Sequence, residues 1–260
     1  GKIMLNITVD EGFDTVEVDL GDNTNNSNPN ANWSVGEEWV DERNGRSYST
    51  VQIAEQVWMS ENLNVQTYTD GTPIPRAEEG TVWYQKTTPL FGYYNNDEEE
   101  NGEIYGALYN WYVVETGKLC PVGWHVPSES EWIILENHLG GNQVAGAKLK
   151  QTGTSLWRDP NYATNEVGFN ALPGGMEYGA FAFINQFGVW WTSTEKEADR
   201  SEYRYVRYDE EWIAPGRPFK DHGLSIRCIK DQAVDSNTDS DGDGLPDEFE
   251  TPGCENEPNC

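Results

Sequence analysis

Alternation opens the chain: Ile3, Leu5, Ile7 and Val9 fall on every second position, and after Gly12 the apolar positions are Val16, Val18 and Leu20. A period of two places one row of side chains on one face of a strand, so two strands are expected, with a hairpin between them. Residues 21–32, GDNTNNSNPNAN, are almost entirely Asn, Asp, Gly, Ser and Pro and read as a linker or long loop. Further along, 50–58, 188–193, 202–208 and 224–229 are rich in β-favouring residues with roughly alternating character, and each is expected as a strand. One helix is well signalled. Pro127 precedes the capping box Ser128-Glu129-Ser130-Glu131, Trp132, Leu135 and Leu139 mark one face, and Gly140-Gly141 stops the run. A shorter helix is expected over 143–150, ended by Gly153. The pattern predicts an α+β protein with few helices and long loops. It divides into an N-terminal β segment with its Asn-rich linker (1–36), a main domain (37–231) and a C-terminal segment (232–260).

Composition changes this picture through its rings. The chain holds 11 Trp, 13 Tyr and 8 Phe in 260 residues, so aromatics carry much of the burial. So many Trp are expected to leave several rings at the surface. No run approaches the roughly 18 apolar residues of a membrane-spanning helix, and membrane insertion is not expected. Lys+Arg 17 against Asp+Glu 45 gives a net charge of −28, which repels phosphate backbones and anionic bilayers. Nucleic acid is therefore not an expected partner. Cations and neutral ligands such as glycans suit this surface, although acidity of this kind also serves solubility alone. Residues 235–260 hold nine acids and no base, so −9 of the charge sits there.

Candidate chemistry is concentrated in the same segment. Asp239, Asp241 and Asp243 stand at alternate positions, Gly244 makes a sharp turn and Leu245 offers a carbonyl. Asp247 follows, acting directly or through water, and Glu250 closes the twelve-residue loop as a bidentate ligand. Hard oxygen donors in this order fit Ca²⁺, the expected cofactor; a plain acidic tail is the blander alternative. Asp235 and Asn237 continue the spacing upstream toward a second, shared site. Pro246 and the absence of flanking helical patterns make the segment resemble a thrombospondin type 3 repeat more than a paired EF-hand.

Four cysteines form no CxxC pair, which argues against a zinc ribbon or thioredoxin site. Cys254 and Cys260 close a short loop and are expected to pair, which leaves Cys120 and Cys228 for each other. An even count favours an oxidising, extracellular compartment. The chain opens at Gly1 without an apolar leader, as a processed product or a piece of a longer protein does. His125, His138 and His222 lack the spacing of a zinc helix, and neither a Gly-x-Ser-x-Gly elbow nor a phosphate-cradling loop occurs. No catalytic residue and no enzyme activity are expected, with a secreted polysaccharide-acting enzyme as the remote alternative.

A set of ordered blocks carries a family resemblance. They include Gln56-Val57-Trp58-Met59-Ser60-Glu61-Asn62-Leu63, Tyr105-Gly106-Ala107-Leu108-Tyr109-Asn110-Trp111 and Leu119-Cys120-Pro121-Val122-Gly123-Trp124-His125-Val126-Pro127. Val189-Trp190-Trp191-Thr192-Ser193 and Gly223-Leu224-Ser225-Ile226-Arg227-Cys228-Ile229-Lys230 close the set. Over 39–230 the chain resembles the Fibrobacter succinogenes major paralogous domain, a family of bacterial surface and secreted modules that looks related to the C-type-lectin-like fold. The resemblance implies first and last strands that pair, and long loops that form a ligand surface. Most of the quoted Trp and Gly positions are expected as core and turn elements. The loops between about 169 and 220 are expected to carry the ligand surface, with Glu195, Arg204, Tyr208, Asp209 and Trp212 as candidates near strand ends. The expected function is a non-enzymatic extracellular binding or adhesion module on a bacterial surface. Its expected partners are a glycan or protein ligand and neighbouring domains of a longer chain. The alternative is a structural or assembly unit of a larger surface protein.

Overall fold

The computed structural model describes residues 2–9, 12–19 and 33–232. The opening alternation forms β1 (Lys2–Val9) and β2 (Gly12–Asp19), paired antiparallel with Ile3 opposite Val18 and Leu5 opposite Val16. A second hairpin joins β3 (Trp39–Asp41) to β4 (Arg46–Tyr48). The run expected as one strand over 50–58 is two: β5 (Thr50–Ile53) and β6 (Gln56–Met59) turn back on each other at Ala54, whose φ is 54°. Ala54-Glu55 carries no Gly, Pro or Asn to announce a turn; the one trace is Glu55, which stands where the alternation of Val51 and Ile53 calls for an apolar residue.

The chain continues through β7 (Phe91–Gly92), α1 (Glu103–Tyr105), β8 (Leu108–Tyr109), α2 (Trp111–Val114) and β9 (Trp124–His125). Helix α3 (Glu129–His138) begins where the capping box puts it. Ser128 Oγ accepts from the Glu131 amide and the Glu131 carboxylate accepts from the Ser128 amide, which satisfies two otherwise orphaned donors. Helix α4 (Asn142–Leu149) follows Gly141. Then come β10 (Met176–Glu177), β11 (Phe181–Ala182), β12 (Phe187–Glu195), β13 (Ser201–Arg207), β14 (Ile213–Gly216) and β15 (Ile229–Lys230). The result is mixed α+β with several small antiparallel sheets; the largest among the described residues has the order β5-β6-β15-β9.

Ile229 in the closing strand pairs with both Trp58 and His125, so the first hairpin of this sheet meets the last strand of the domain. The rest of the expected strand over 224–229 is not a ladder. Leu224 bridges Tyr109, Ser225 bridges Trp190, and the Ile226 carbonyl accepts from the Leu63 amide. Its polar groups are shared among three neighbours, so the alternation reports burial on all sides rather than membership of one sheet. The disulfide Cys120–Cys228 ties the segment ahead of α3 to this one, 108 residues later, as the cysteine pattern led one to expect.

Two main cores lie on either side of the strands. Neighbouring residues feed opposite cores, because successive strand side chains point to opposite faces. Trp191, Met59 and Cys228 enter one, while Trp190, Trp58 and Ile229 enter the other with Trp132, Leu135 and Phe169. Eight of the 11 Trp are buried, and Trp33, Trp39 and Trp212 are half-buried. The exposed large rings are instead Tyr84, Tyr162, Tyr178, Phe183 and Phe219. Among the described residues no helix is long and apolar enough to cross a membrane. Asp235, Asn237, Asp239, Asp241, Asp243, Leu245, Asp247, Glu250, Cys254 and Cys260 lie outside the described residues.

Candidate functional site

Strands β10 and β11 form a two-rung hairpin with Met176 opposite Ala182 and Glu177 opposite Phe181. Its turn uses Gly179 at φ 100°, and the Gly179 amide donates to Glu177 Oε1 at 2.9 Å. The chain then bends again at Phe183, whose carbonyl accepts from the amides of Gln186 and Phe187, each at 3.0 Å. Phe183 has φ 67° and Asn185 φ 64°. Asn tolerates this left-handed region, but a bulky aromatic there is strained, and such strain concentrates at functional positions.

The strained turn aims an aromatic pair outward. The Phe183 ring stacks on Tyr178 with centroids 5.8 Å apart and planes 8° from parallel. The two residues are 37% and 46% exposed. Rings continue in both directions: Phe187 lies 5.0 Å from Phe183, Tyr205 6.0 Å from Phe187, and Trp212 5.4 Å from Tyr205. On the other side His222 lies 6.1 Å from Tyr178 and Phe219 5.9 Å from His222. Beside this belt opens a cleft of about 330 Å³ lined by Met176, Tyr178, Phe183, Tyr203, Arg217, Pro218, His222 and Leu224.

Polar groups behind the rings are incompletely paired. The Glu177 and Gly223 backbones exchange hydrogen bonds of 2.9 and 2.8 Å, which sets Glu177 beside Asp221 and His222. Asp221 Oδ2 accepts from the Gln85 amide at 2.6 Å. Glu177 Oε2, Asp221 Oδ1 and His222 Nδ1 are buried without a hydrogen-bond partner in the protein. Burial pushes the Glu177 carboxyl up to about 7, against the pull of the Gly179 amide and with Asp221 adding to the rise. Burial also pulls the His222 imidazole below its ordinary value, so it is neutral at pH 7.

A larger cleft, about 440 Å³, lies between β3 and the disulfide and includes Asp41, Arg43, Pro121 and Val122. Its charges are spent internally. Arg43 donates to Asp41 Oδ1 at 2.9 Å and Oδ2 at 2.6 Å, and to the carbonyls of Thr67 at 2.9 Å and Leu119 at 2.7 Å. Beyond this pair its one charged lining residue is the exposed Glu42.

Residues 51–230 match the family described as the Fibrobacter succinogenes major domain, which is more than half of the 260-residue chain. The chain belongs to this family. No curated protein and no solved structure matches it. The Fibrobacter major domain match starts within β5 and ends with β15, so it encloses the four-stranded sheet, the disulfide and the aromatic cleft. The hairpin β3–β4 precedes it yet packs onto it: Lys230 Nζ lies 5.7, 5.0 and 5.5 Å from the ring centres of Trp33, Trp39 and Trp124.

The aromatic cleft draws most of its lining from the loop range expected to carry ligand, but not from the residues singled out there. Arg204 is a correction. It is 2% exposed inside the domain, donating to Glu136 Oε1 at 2.7 Å and to Glu202. It stands mid-strand in β13, where the side chain alternates inward, so a surface ligand would not reach it. Glu195 accepts from Lys220 Nζ, and Asp209 Oδ2 accepts from Arg207 at 2.9 Å. Tyr208 is half-buried under the Arg158 guanidinium, 5.2 Å from the ring centre. Trp212 ends the aromatic belt. The lining residues overlooked in the sequence, Tyr178, Phe183 and His222, did leave a trace: Tyr178, Phe181 and Phe183 crowd around Gly179, a short hairpin signal with aromatic flanks.

Proposed function

We propose that this chain is an extracellular, non-enzymatic binding module of a bacterial surface or secreted protein, and that the aromatic cleft beside β10 and β11 is its ligand contact. The observation that carries this reading is the Tyr178–Phe183 stack, two partly solvent-facing rings held parallel beside a strained turn. Exposed aromatics next to unpaired polar groups are the ordinary makeup of a recognition surface. The Cys120–Cys228 disulfide supports an oxidising compartment, and family membership supports a surface or secreted setting. The kinship with C-type-lectin-like folds and the calcium segment over 235–250 remain part of the reading. For calcium the support is the spacing of Asp239, Asp241, Asp243, Asp247 and Glu250, with Asp235 and Asn237 upstream.

A role as an assembly unit has one observation in its favour. Trp33 and Trp39 close on Lys230, so the chain enters and leaves the domain at one place, as a bead in a longer string does. Beads carrying the chain, offered to bacterial cells, printed polysaccharides and matrix proteins, separate the two roles. The binding reading expects attachment to one class of surface, falling about tenfold or more when Tyr178 and Phe183 are both changed to Ala, as loss of aromatic anchors entails. Equal attachment by that double variant overturns it.

A further inference from the structure

Resting on the reading of the cleft as a ligand contact, we infer that its ligand is a neutral saccharide, one pyranose ring packing against the exposed part of the Tyr178–Phe183 stack with hydroxyls meeting His222. Three independent features point to this class.

The first is shape. Two stacked rings, 5.8 Å between centroids and 8° from parallel, 46% and 37% exposed, leave ring surface open beside the cleft rather than forming a hole for a side chain. The C–H face of a pyranose is flat, apolar and weakly positive, and it complements the negative face of an aromatic ring. A peptide anchor side chain instead needs an enclosed pocket that buries it from all sides.

The second feature is the hydrogen-bonding chemistry at the cleft wall. His222, 6.1 Å from the Tyr178 ring, has an unpartnered Nδ1, and its neutral imidazole offers one donor and one acceptor. Behind it, Glu177 and Asp221 each keep one buried carboxyl oxygen without a hydrogen-bond partner in the protein, Asp221 Oδ1 lying 3.9 Å from His222 Nε2. A sugar hydroxyl both donates and accepts, so it suits the neutral His222 ring that lines the cleft, with the buried carboxyl groups behind it.

The third feature is charge. Arg217 is the one base lining this cleft, while Glu177 and Asp221 stand behind it in a chain of net charge −28. An acidic sugar would bring a carboxylate toward Asp221 in a chain of strongly negative net charge, so an uncharged saccharide is favoured.

The test is calorimetric titration of the full chain with cellohexaose, laminarihexaose, xylohexaose and mannohexaose, and in parallel with polygalacturonate and a pool of random peptides. The inference expects at least one neutral hexasaccharide to bind. It expects Tyr178→Ala to weaken that binding about tenfold or more, and His222→Ala to weaken it as well. Phe183→Asn should do the same while suiting the left-handed backbone, so loss of binding in a variant that melts like the parent reports the ring and not the fold. Tyr162→Ala, an exposed ring outside the cleft, should leave binding unchanged. Neutral sugars that fail while polygalacturonate or peptides bind in a Tyr178-dependent way overturn the saccharide and leave the binding module standing. Sugar binding untouched by the cleft variants overturns this site. Failure of every probe, together with bead attachment that ignores the double variant, overturns both readings.

Discussion

Arg227 shows how far a single side chain can depart from its usual place. It is fully buried, its guanidinium 4.3 Å from the Phe169 ring centre and 5.7 Å from that of Trp190. It donates to Asn62 Oδ1 at 2.9 Å and to the Phe169 carbonyl. No carboxylate pairs with it among the described contacts; ring faces and carbonyl dipoles take that part. Burial pulls its pKa down to about 9, still high enough to keep the charge at neutral pH. Asn62 Oδ1 also accepts from Trp190 Nε1 at 2.8 Å, so Arg227 completes a network rather than decorating one. Changing Arg227 to Met should destabilise the domain by about 1–3 kcal/mol, because the Phe169 carbonyl loses its donor and the ring faces lose their cation. Urea unfolding checks this. Arg227→Lys should recover little, since one ammonium cannot reach both acceptors and cover both rings.

At the scale of elements, α3, β9 and the exit from β15 are joined by His125. Its Nε2 lies 2.8 Å from Glu131, the capping-box residue of α3, and its Nδ1 lies 2.6 Å from Asp231, just past β15. Carboxylates only accept, so both bonds coexist only when each ring nitrogen carries a proton. The Glu131 hydrogen bond, against the cost of burial and helped by Asp231, raises the His125 pKa above its ordinary value. The folded state therefore binds this proton more tightly than the unfolded chain. The clasp contributes in full below pH about 6.5, and its contribution is lost as pH rises through the raised folded value. Unfolding midpoints measured from pH 6 to about 9 should fall for the parent chain, and the fall should be shallower in His125→Gln. The effect should be modest, because the ring is 41% exposed and water screens it. Identical slopes in the two proteins would contradict the clasp.

At the scale of the molecule, the described domain is closed without residues 235–260. The β5–β6 hairpin and the last strand meet in one sheet, the disulfide spans 108 residues, and Lys230 sits among three Trp rings. The C-terminal segment carries nine acids and no base, so its carboxylates repel one another unless a cation gathers them. Chelation is expected to expose residues 235–260 to protease while 39–230 stays resistant. Limited proteolysis with and without chelator, read by mass spectrometry, checks both halves. Equal cleavage of the segment in both conditions would remove the calcium site, as would a calorimetric calcium isotherm unchanged in a variant carrying Asp243→Ala and Glu250→Ala.

What the sequence determined by itself is what depends on near neighbours. The capping box starts α3 because Ser128 and Glu131 lie within one turn, β13 follows from side-chain alternation, and β12 follows from its run of aromatic and β-branched residues. The pairing of Cys120 with Cys228 was legible by elimination, and the family by the order of its blocks. Tertiary structure decided the rest, because the deciding partners are remote. The run 50–58 splits at Ala54 so that β6 can reach β15, and 224–229 gives its hydrogen bonds to three separate neighbours. Arg204 turns inward because Glu136, 68 residues away, is there to meet it. The cleft exists only because the chain brings Tyr178 and Phe183 against His222. Local pattern tells which face of an element is apolar, but which face meets which, and what polar groups are left unpaired between them, is set by packing across the whole chain.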